Sequence, residues 1–297
     1  MFFKRRELMA LGAGLILPAP VMAASSAPVM PSPAPPPQPG ADLPVPQNGS
    51  LRFRIMRKGD VIGTHGLTFT QQGRTDLPPP ATPPAPATTA SAASPAAISK
   101  TAQTGTGAKE AAVPAKPSPP PKPPVLGPLT VHVIIDIAVK LGPIPLYRYN
   151  HESTEIWHGD TLESFVSATN DNGVHTKVMA KNKDGKFWVE TIKEKYAAPE
   201  DAIPTTYWNP KTLSAPLIDN IDGKLLRAKI ARIGPETISA ANGDRIDAVR
   251  YVASGDLNLN LWYAEDKPKP GEKPGPIHWV GLALVGSDGS HVSYELL

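Results

Sequence analysis

Residues 129–141 read LTVHVIIDIAVKL, and their alternation decides the fold class. Val131, Val133, Ile135, Ile137, Val139 and Leu141 point one way and Thr130, His132, Asp136 and Lys140 the other, so the spacing predicts a long strand with one buried face. The pattern recurs on either side. Leu51, Phe53 and Ile55 are opposed by Arg52 and Arg54, Leu257, Leu259, Leu261 and Tyr263 by Asn258 and Asn260, and Val292, Tyr294 and Leu296 repeat it near the C-terminus. Between such runs stand Lys58-Gly59-Asp60, Asn172-Gly173, Asp184-Gly185, Asp222-Gly223, Asn242-Gly243 and Asp288-Gly289, pairs that accept the positive φ of tight hairpin turns at little cost. Beyond the N-terminal segment the best helical stretch, Glu190 to Asp201, is short and mixed. The expected fold is all-β: about 10–13 antiparallel strands in up-and-down order, curled into a barrel or half-barrel because so long a flat sheet would leave adhesive edges.

Proline divides the chain. Of 297 residues 37 are Pro, and most fall within 28–46 and 75–128, stretches of Pro, Ala, Ser and Thr with almost no large apolar side chains. Such segments cannot bury enough surface to offset the entropy of ordering them. Residues 25–49 are therefore expected to be a disordered linker, and 75–128 a disordered Pro/Ala-rich insertion within one β domain spanning 50–297. The insertion separates Val61–Thr70 from Leu129–Leu141, two runs that would otherwise form a hairpin. A lone hairpin of residues 50–74 would not be stable, which argues against two separate domains.

Residues 1–24 read as an export signal. Lys4, Arg5 and Arg6 precede the apolar run Leu8–Leu17, and Val21-Met22-Ala23 offers small residues for cleavage. The Arg5-Arg6 pair resembles a twin-arginine signal, although Lys4 stands where Ser or Thr is preferred and an ordinary secretory n-region fits too. The apolar run is too short to span a bilayer, so the chain is expected to be exported, periplasmic or secreted, with the twin-arginine or general export machinery as its first partner. The formal charge of +3 is carried by the signal and residues 74–128, leaving about −2 on the rest; nucleic acid is not an expected partner. With no cysteine, disulfides, thiolate metal sites and thiol nucleophiles are excluded.

Several segments in order resemble an exported β family known as domain of unknown function family 6134. They are Phe53 with Gly59 and Ile62-Gly63-Thr64-His65, Val133 to Lys140, Tyr147-Arg148-Tyr149, Glu155-Ile156-Trp157, Thr169 to Gly173, Pro204 to Asn209, Gly255-Asp256-Leu257 with Leu261-Trp262-Tyr263, and Trp279-Val280 with Asp288-Gly289-Ser290 and Tyr294. The resemblance implies a β fold and export. It implies no activity, and the insertion and the Lys267–Pro276 loop depart from the family's compact pattern.

Catalytic templates mostly fail. There is no Gly-x-Ser-x-Gly elbow, and Thr104–Lys109 lacks the spacing of a phosphate loop. His151, Glu155 and His158 lie close in sequence, but on a strand His158 faces away from the other two, so no metal or other cofactor is expected. His65 shares the alternating face of Val61, Leu67 and Phe69, where an imidazole either lines a cavity, acts as a base, or is a hydrogen-bonded core residue. Glu155 and Trp157 share one strand face, Tyr207-Trp208 sits in a Pro-bounded loop, and Trp262 lies near a strand end. With Tyr149 these make a candidate ligand-binding set of His65, Tyr149, Glu155, Trp157, Tyr207, Trp208 and Trp262: aromatic surface beside one carboxylate suits an amphipathic ligand, while the plainer reading is that the rings fill the barrel ends. Three functions follow: a non-enzymatic binding module for a lipid or envelope component, an envelope assembly factor acting through its Pro-rich arms, and, least supported, a hydrolase built on His65, Glu155 and Tyr207.

Overall fold

The computed structural model describes residues 43–74, 126–141, 143–265, 275–286 and 288–297. Arg5, Arg6 and Ala23 of the signal, and the body of the insertion, lie outside them. The chain forms β1 (Ser50–Arg57), β2 (Asp60–Gln71), β3 (Leu129–Leu141), β4 (Ile144–His158), β5 (Thr161–Asp171), β6 (Val174–Lys183), β7 (Lys186–Thr191) and β8 (Lys195–Ala198). Three two-residue strands follow, β9 (Ile203–Pro204), β10 (Leu217–Ile218) and β11 (Leu225–Leu226), and then β12 (Ala228–Ser239), β13 (Arg245–Gly255), β14 (Leu259–Glu265), β15 (Ile277–Val285) and β16 (His291–Leu296).

Thirteen of these make one antiparallel meander in the order β12-β13-β14-β15-β16-β1-β2-β3-β4-β5-β6-β7-β8, and β9 to β11 make a small separate sheet. Up-and-down order holds throughout, with β1 joined directly to β16, Phe53 opposite Leu296. Three hairpins turn on successive positive-φ residues, Lys58-Gly59, Asn172-Gly173 and Asp184-Gly185, as their sequences require. Asp222-Gly223 instead turns the chain between β10 and β11.

The alternation of β3 holds, with Val131, Val133 and Ile135 fully buried and Ile134 and Asp136 exposed; it fades toward Ile137 and Val139, which are half-buried. In β2 the buried face is His65, Leu67 and Phe69, but Val61 is 60% exposed because a bulge at Ile62 pairs it with Met56, out of phase with the inward Ile55. β2 and β3 pair from Gly63 opposite Ile137 to Gln71 opposite Leu129, so the hairpin interrupted by the insertion is formed. Its open end is tied by Gly127 N–H donating to the Gln72 carbonyl at 2.9 Å and Gln71 Nε2 donating to the Gly127 carbonyl at 2.9 Å. Deleting residues 77–126 leaves all these bonds in place. Because loop-closure entropy grows only logarithmically with length, the shortened protein is expected to melt within a few degrees of the parent, as calorimetry will read. Ahead of β1, Leu43 and Val45 already pack against the core.

The stretch 199–226, which holds the small sheet and a 3₁₀ turn at Pro210–Leu213, crosses the concave side of the large sheet. Trp208 packs edge-on against Phe69 of β2 at 5.2 Å, and Tyr207 lies 5.7 Å from Trp279 of β15. The Tyr263 hydroxyl of β14 donates to the Tyr207 carbonyl at 2.6 Å, and Tyr196 of β8 donates to the Gly223 carbonyl at 2.7 Å. One segment can meet β2, β8, β14 and β15 together only if the sheet curls around it. The domain is thus a half-barrel with its interior filled by its own chain.

Candidate functional site

The inner face of β4 reads Tyr147, Tyr149, His151, Ser153, Glu155, Trp157, without one aliphatic residue, and all six are buried. Opposite it on β5 stand Ser167 and Thr169, also buried. This polar strip is where the crossing segment attaches. His151 bonds through Nδ1 to the Thr169 hydroxyl at 2.8 Å and through Nε2 to Asn220 Nδ2 at 3.1 Å. The amide nitrogen can only donate, so the imidazole is neutral, with its proton on Nδ1. Asn220 also accepts from the Thr205 hydroxyl at 3.1 Å, while its carbonyl accepts from the Ser167 hydroxyl. At the far end Lys211 donates to the Asp160 carbonyl at 2.6 Å and carboxylate at 3.0 Å; this bond and charge hold the Asp160 carboxyl below its usual range.

Glu155 is the centre of the strip. Its Oε2 accepts from both indoles, Trp157 Nε1 at 2.8 Å and Trp208 Nε1 at 3.0 Å, and the two rings meet edge to face at 5.5 Å. Oε1 is buried with no hydrogen bond of ordinary geometry. Burial raises the carboxyl above its usual range, opposed by the Thr206 hydroxyl and the two indoles.

Of the expected site residues, Glu155, Trp157, Tyr207 and Trp208 come together on the concave side, and Tyr149 stacks parallel to His151 at 6.4 Å. His65 lies in the same interior among rings, edge-on to Trp279 at 5.3 Å and to Tyr294 at 5.7 Å. Trp262 stands apart. Inward Leu261 and Tyr263 force it onto the outer face, where it bonds Glu236 at 3.3 Å. His158 is also outward and pairs with Glu163 at 2.7 Å, and no cluster of three or more His, Asp or Glu fit to hold a metal occurs among the described residues. His151, Asn220, Thr205, Tyr263 and Trp279 belong to the interior and were not in the expected set.

The profile of the family described as Domain of unknown function (DUF6134) matches residues 126–296. The chain belongs to this family. The match covers Tyr149, Glu155, Trp157, Tyr207, Trp208 and Trp262 but begins after β1 and β2, so His65 lies outside it although its strand pairs with the DUF6134 span. A crystal structure of a beta-barrel-like protein of domain of unknown function DUF1849 from Brucella abortus is similar over 84% of this chain and 94% of that chain, at 9% identity and a TM-score of 0.42. No curated protein matches.

In the DUF6134 domain the strained backbone also falls at this site. Tyr207 has φ of +66°, a conformation costly for a bulky side chain, and it is held there by the Tyr263 hydroxyl on its carbonyl. Burial in turn pushes the Tyr263 phenol above its usual range.

The raised carboxyl sets a pH dependence. A carboxyl that binds its proton more tightly when folded adds stability below its unfolded pKa, near 4.5, and loses that contribution as pH rises through the folded value. Glu155→Gln keeps an acceptor for the indoles and abolishes the ionisation. The expected result is a melting temperature that gains on the parent as pH rises from 4 to 8, on the order of a few degrees, read by thermal unfolding across that range.

Proposed function

We propose that this is an exported, non-enzymatic binding module that takes one amphipathic molecule on its concave side, between β4 and the crossing segment. The observation that carries this is Glu155, a fully buried carboxyl set between the Trp157 and Trp208 indoles, both of which donate to Oε2, with the Thr206 hydroxyl as its other donor. A ligand hydroxyl or amine would add a donor to this desolvated carboxyl, and a hydrogen bond to a charged group contributes about 1.5–3 kcal/mol. Aromatic rings beside the carboxyl suit the apolar part of the same molecule. The attachment of residues 199–226 along β4 and β5 is made of side-chain hydrogen bonds, which a polar ligand head can replace one for one. Export is supported by the reading of residues 1–24.

Native mass spectrometry of gently purified protein tests this. The expected result is a retained small amphiphile, with weaker retention by Glu155→Gln. A protein that is always empty, and whose tryptophan fluorescence does not respond to titration with single-chain lipids, overturns the proposal.

A further inference from the structure

The β3–β4 hairpin ends in four consecutive exposed residues, Pro143-Ile144-Pro145-Leu146, with Ile144 60% and Leu146 41% exposed. Runs of exposed apolar residues are selected against unless they bind something. This tip also stands clear of its neighbours. β5 pairs with β4 only up to Asp171 opposite Tyr149, the β5–β6 turn reaches no further than the Arg148 carbonyl, which accepts from the Asn172 N–H at 2.8 Å, and Tyr147 is the last buried residue, so the uncovered part is Pro143 to Leu146. The adjacent turns at the same end of the sheet carry Val61 and Val174, 60% and 58% exposed, and the β7–β8 turn carries Ile192, 81% exposed. At the opposite end, the β4–β5, β6–β7 and β12–β13 turns are polar: Gly159-Asp160, Asp184-Gly185 and Asn242-Gly243-Asp244. The same end also carries the polar β13–β14 and β15–β16 turns, Gly255-Asp256 and Asp288-Gly289, so the exposed apolar residues gather on its β1–β8 half.

Cations flank the tip. Lys140 and Arg148 are exposed on its two strands, and Lys58 is exposed on the β1–β2 turn. Between that turn and β3 lies an open groove of about 560 Å³ whose lining includes Lys58, Lys140 and Val139, together with Asp60 and Asp136. Asp136 is bonded to Asn150 at 3.1 Å.

We propose that this end of the half-barrel docks on an anionic lipid surface, with Ile144 and Leu146 inserted at the level of the acyl chains and Lys58, Lys140 and Arg148 among the headgroups. A narrow projecting hairpin carrying apolar residues between exposed Lys140 and Arg148, with Lys58 beside Asp288 on the neighbouring turn, fits a soft, negatively charged interface. A second protein would call for a continuous flat patch, and these apolar tips are separated by polar turns. The contact is separate from the concave site: ligand retention can fail while docking holds, and the reverse.

The test is flotation of the mature chain, isolated from the producing cell, with vesicles of phosphatidylcholine mixed with phosphatidylglycerol. The parent is expected to bind and Ile144→Asp/Leu146→Asp to bind roughly tenfold or more weakly, with the melting temperature unchanged because both positions are exposed. Val166→Asp/Met179→Asp, an exposed apolar pair on the outer face away from this end, is expected to bind like the parent. An independent reading is Ile144→Trp, whose added fluorescence should be quenched by lipids brominated on their acyl chains. Absence of parent binding, equal loss in both double variants, no quenching, or a tip that proves to hold two copies of the chain together would each overturn the proposal.

Discussion

Replacing Trp208 by alanine is expected to lower the melting temperature by about 10 °C, the largest fall of any single side-chain truncation at the concave side. Trp208 is 1% exposed, packs against Phe69 and Trp157, and donates one of the two bonds to Glu155. Removing a buried tryptophan costs about 3–5 kcal/mol, and here it also leaves the Glu155 carboxyl with one donor fewer. A domain of this size loses roughly 2–4 °C per kcal/mol. Residues 199–226 should then be cut by protease faster than the β strands, which limited proteolysis with mass mapping will read. Trp262→Ala is the control. That ring is half-exposed on the outer face, so a shift of only about 1–2 °C is expected. Equal shifts for the two variants would show that the crossing segment contributes little to the fold.

Gly63→Ala is expected to be at least as damaging, for a different reason. An added Cβ at Gly63 would overlap the carbonyl oxygen of Asp136 and lie 2.9 Å from the Cα of Ile137, both backbone atoms of β3 that no side-chain rotation can move. Overpacking of this kind costs about 1–3 kcal/mol when side chains can yield, and more when strands must part. The clash falls in the ladder that joins the chain on the two sides of the insertion. The expected outcome is a loss of about 3 kcal/mol or more in urea unfolding, with hydrogen exchange accelerated first in β2 and β3. Gly66→Ala, with open space around the added methyl, should move the midpoint little.

Strands such as β1, β3, β5 and β14 were legible in the sequence because they carry a side-chain period of two, and several hairpins because Asn-Gly or Asp-Gly closes them. Residues 129–135 and 257–263 each placed their buried face correctly. The filled interior was not legible. Residues 199–226 hold strands only two residues long and one 3₁₀ turn, elements too short to produce a period, and what fixes them is hydrogen bonding to strands remote in sequence. A signal was nevertheless present in β4, whose inward positions hold tyrosine, histidine, serine, glutamate and tryptophan. A face so polar cannot meet an aliphatic core and must meet polar partners. Trp262 could likewise have been placed outward from its neighbours, since Leu261 and Tyr263 already claim the interior. The exposed tip at Pro143–Leu146 was hidden for the opposite reason: its residues look like ordinary core material, and only the place where β5 stops shows that nothing covers them.

β16, the final strand, lies between β15 and β1. Until residues 291–296 have been made, β15 and β1 therefore lack the strand that joins them. Native structure can accumulate from the amino end through β1–β8, which pair in chain order, but β1 keeps a bare edge throughout. A nascent chain stopped just before His291 would hold its two runs of sheet together only through residues 199–226, with raw edges left on β1 and β15.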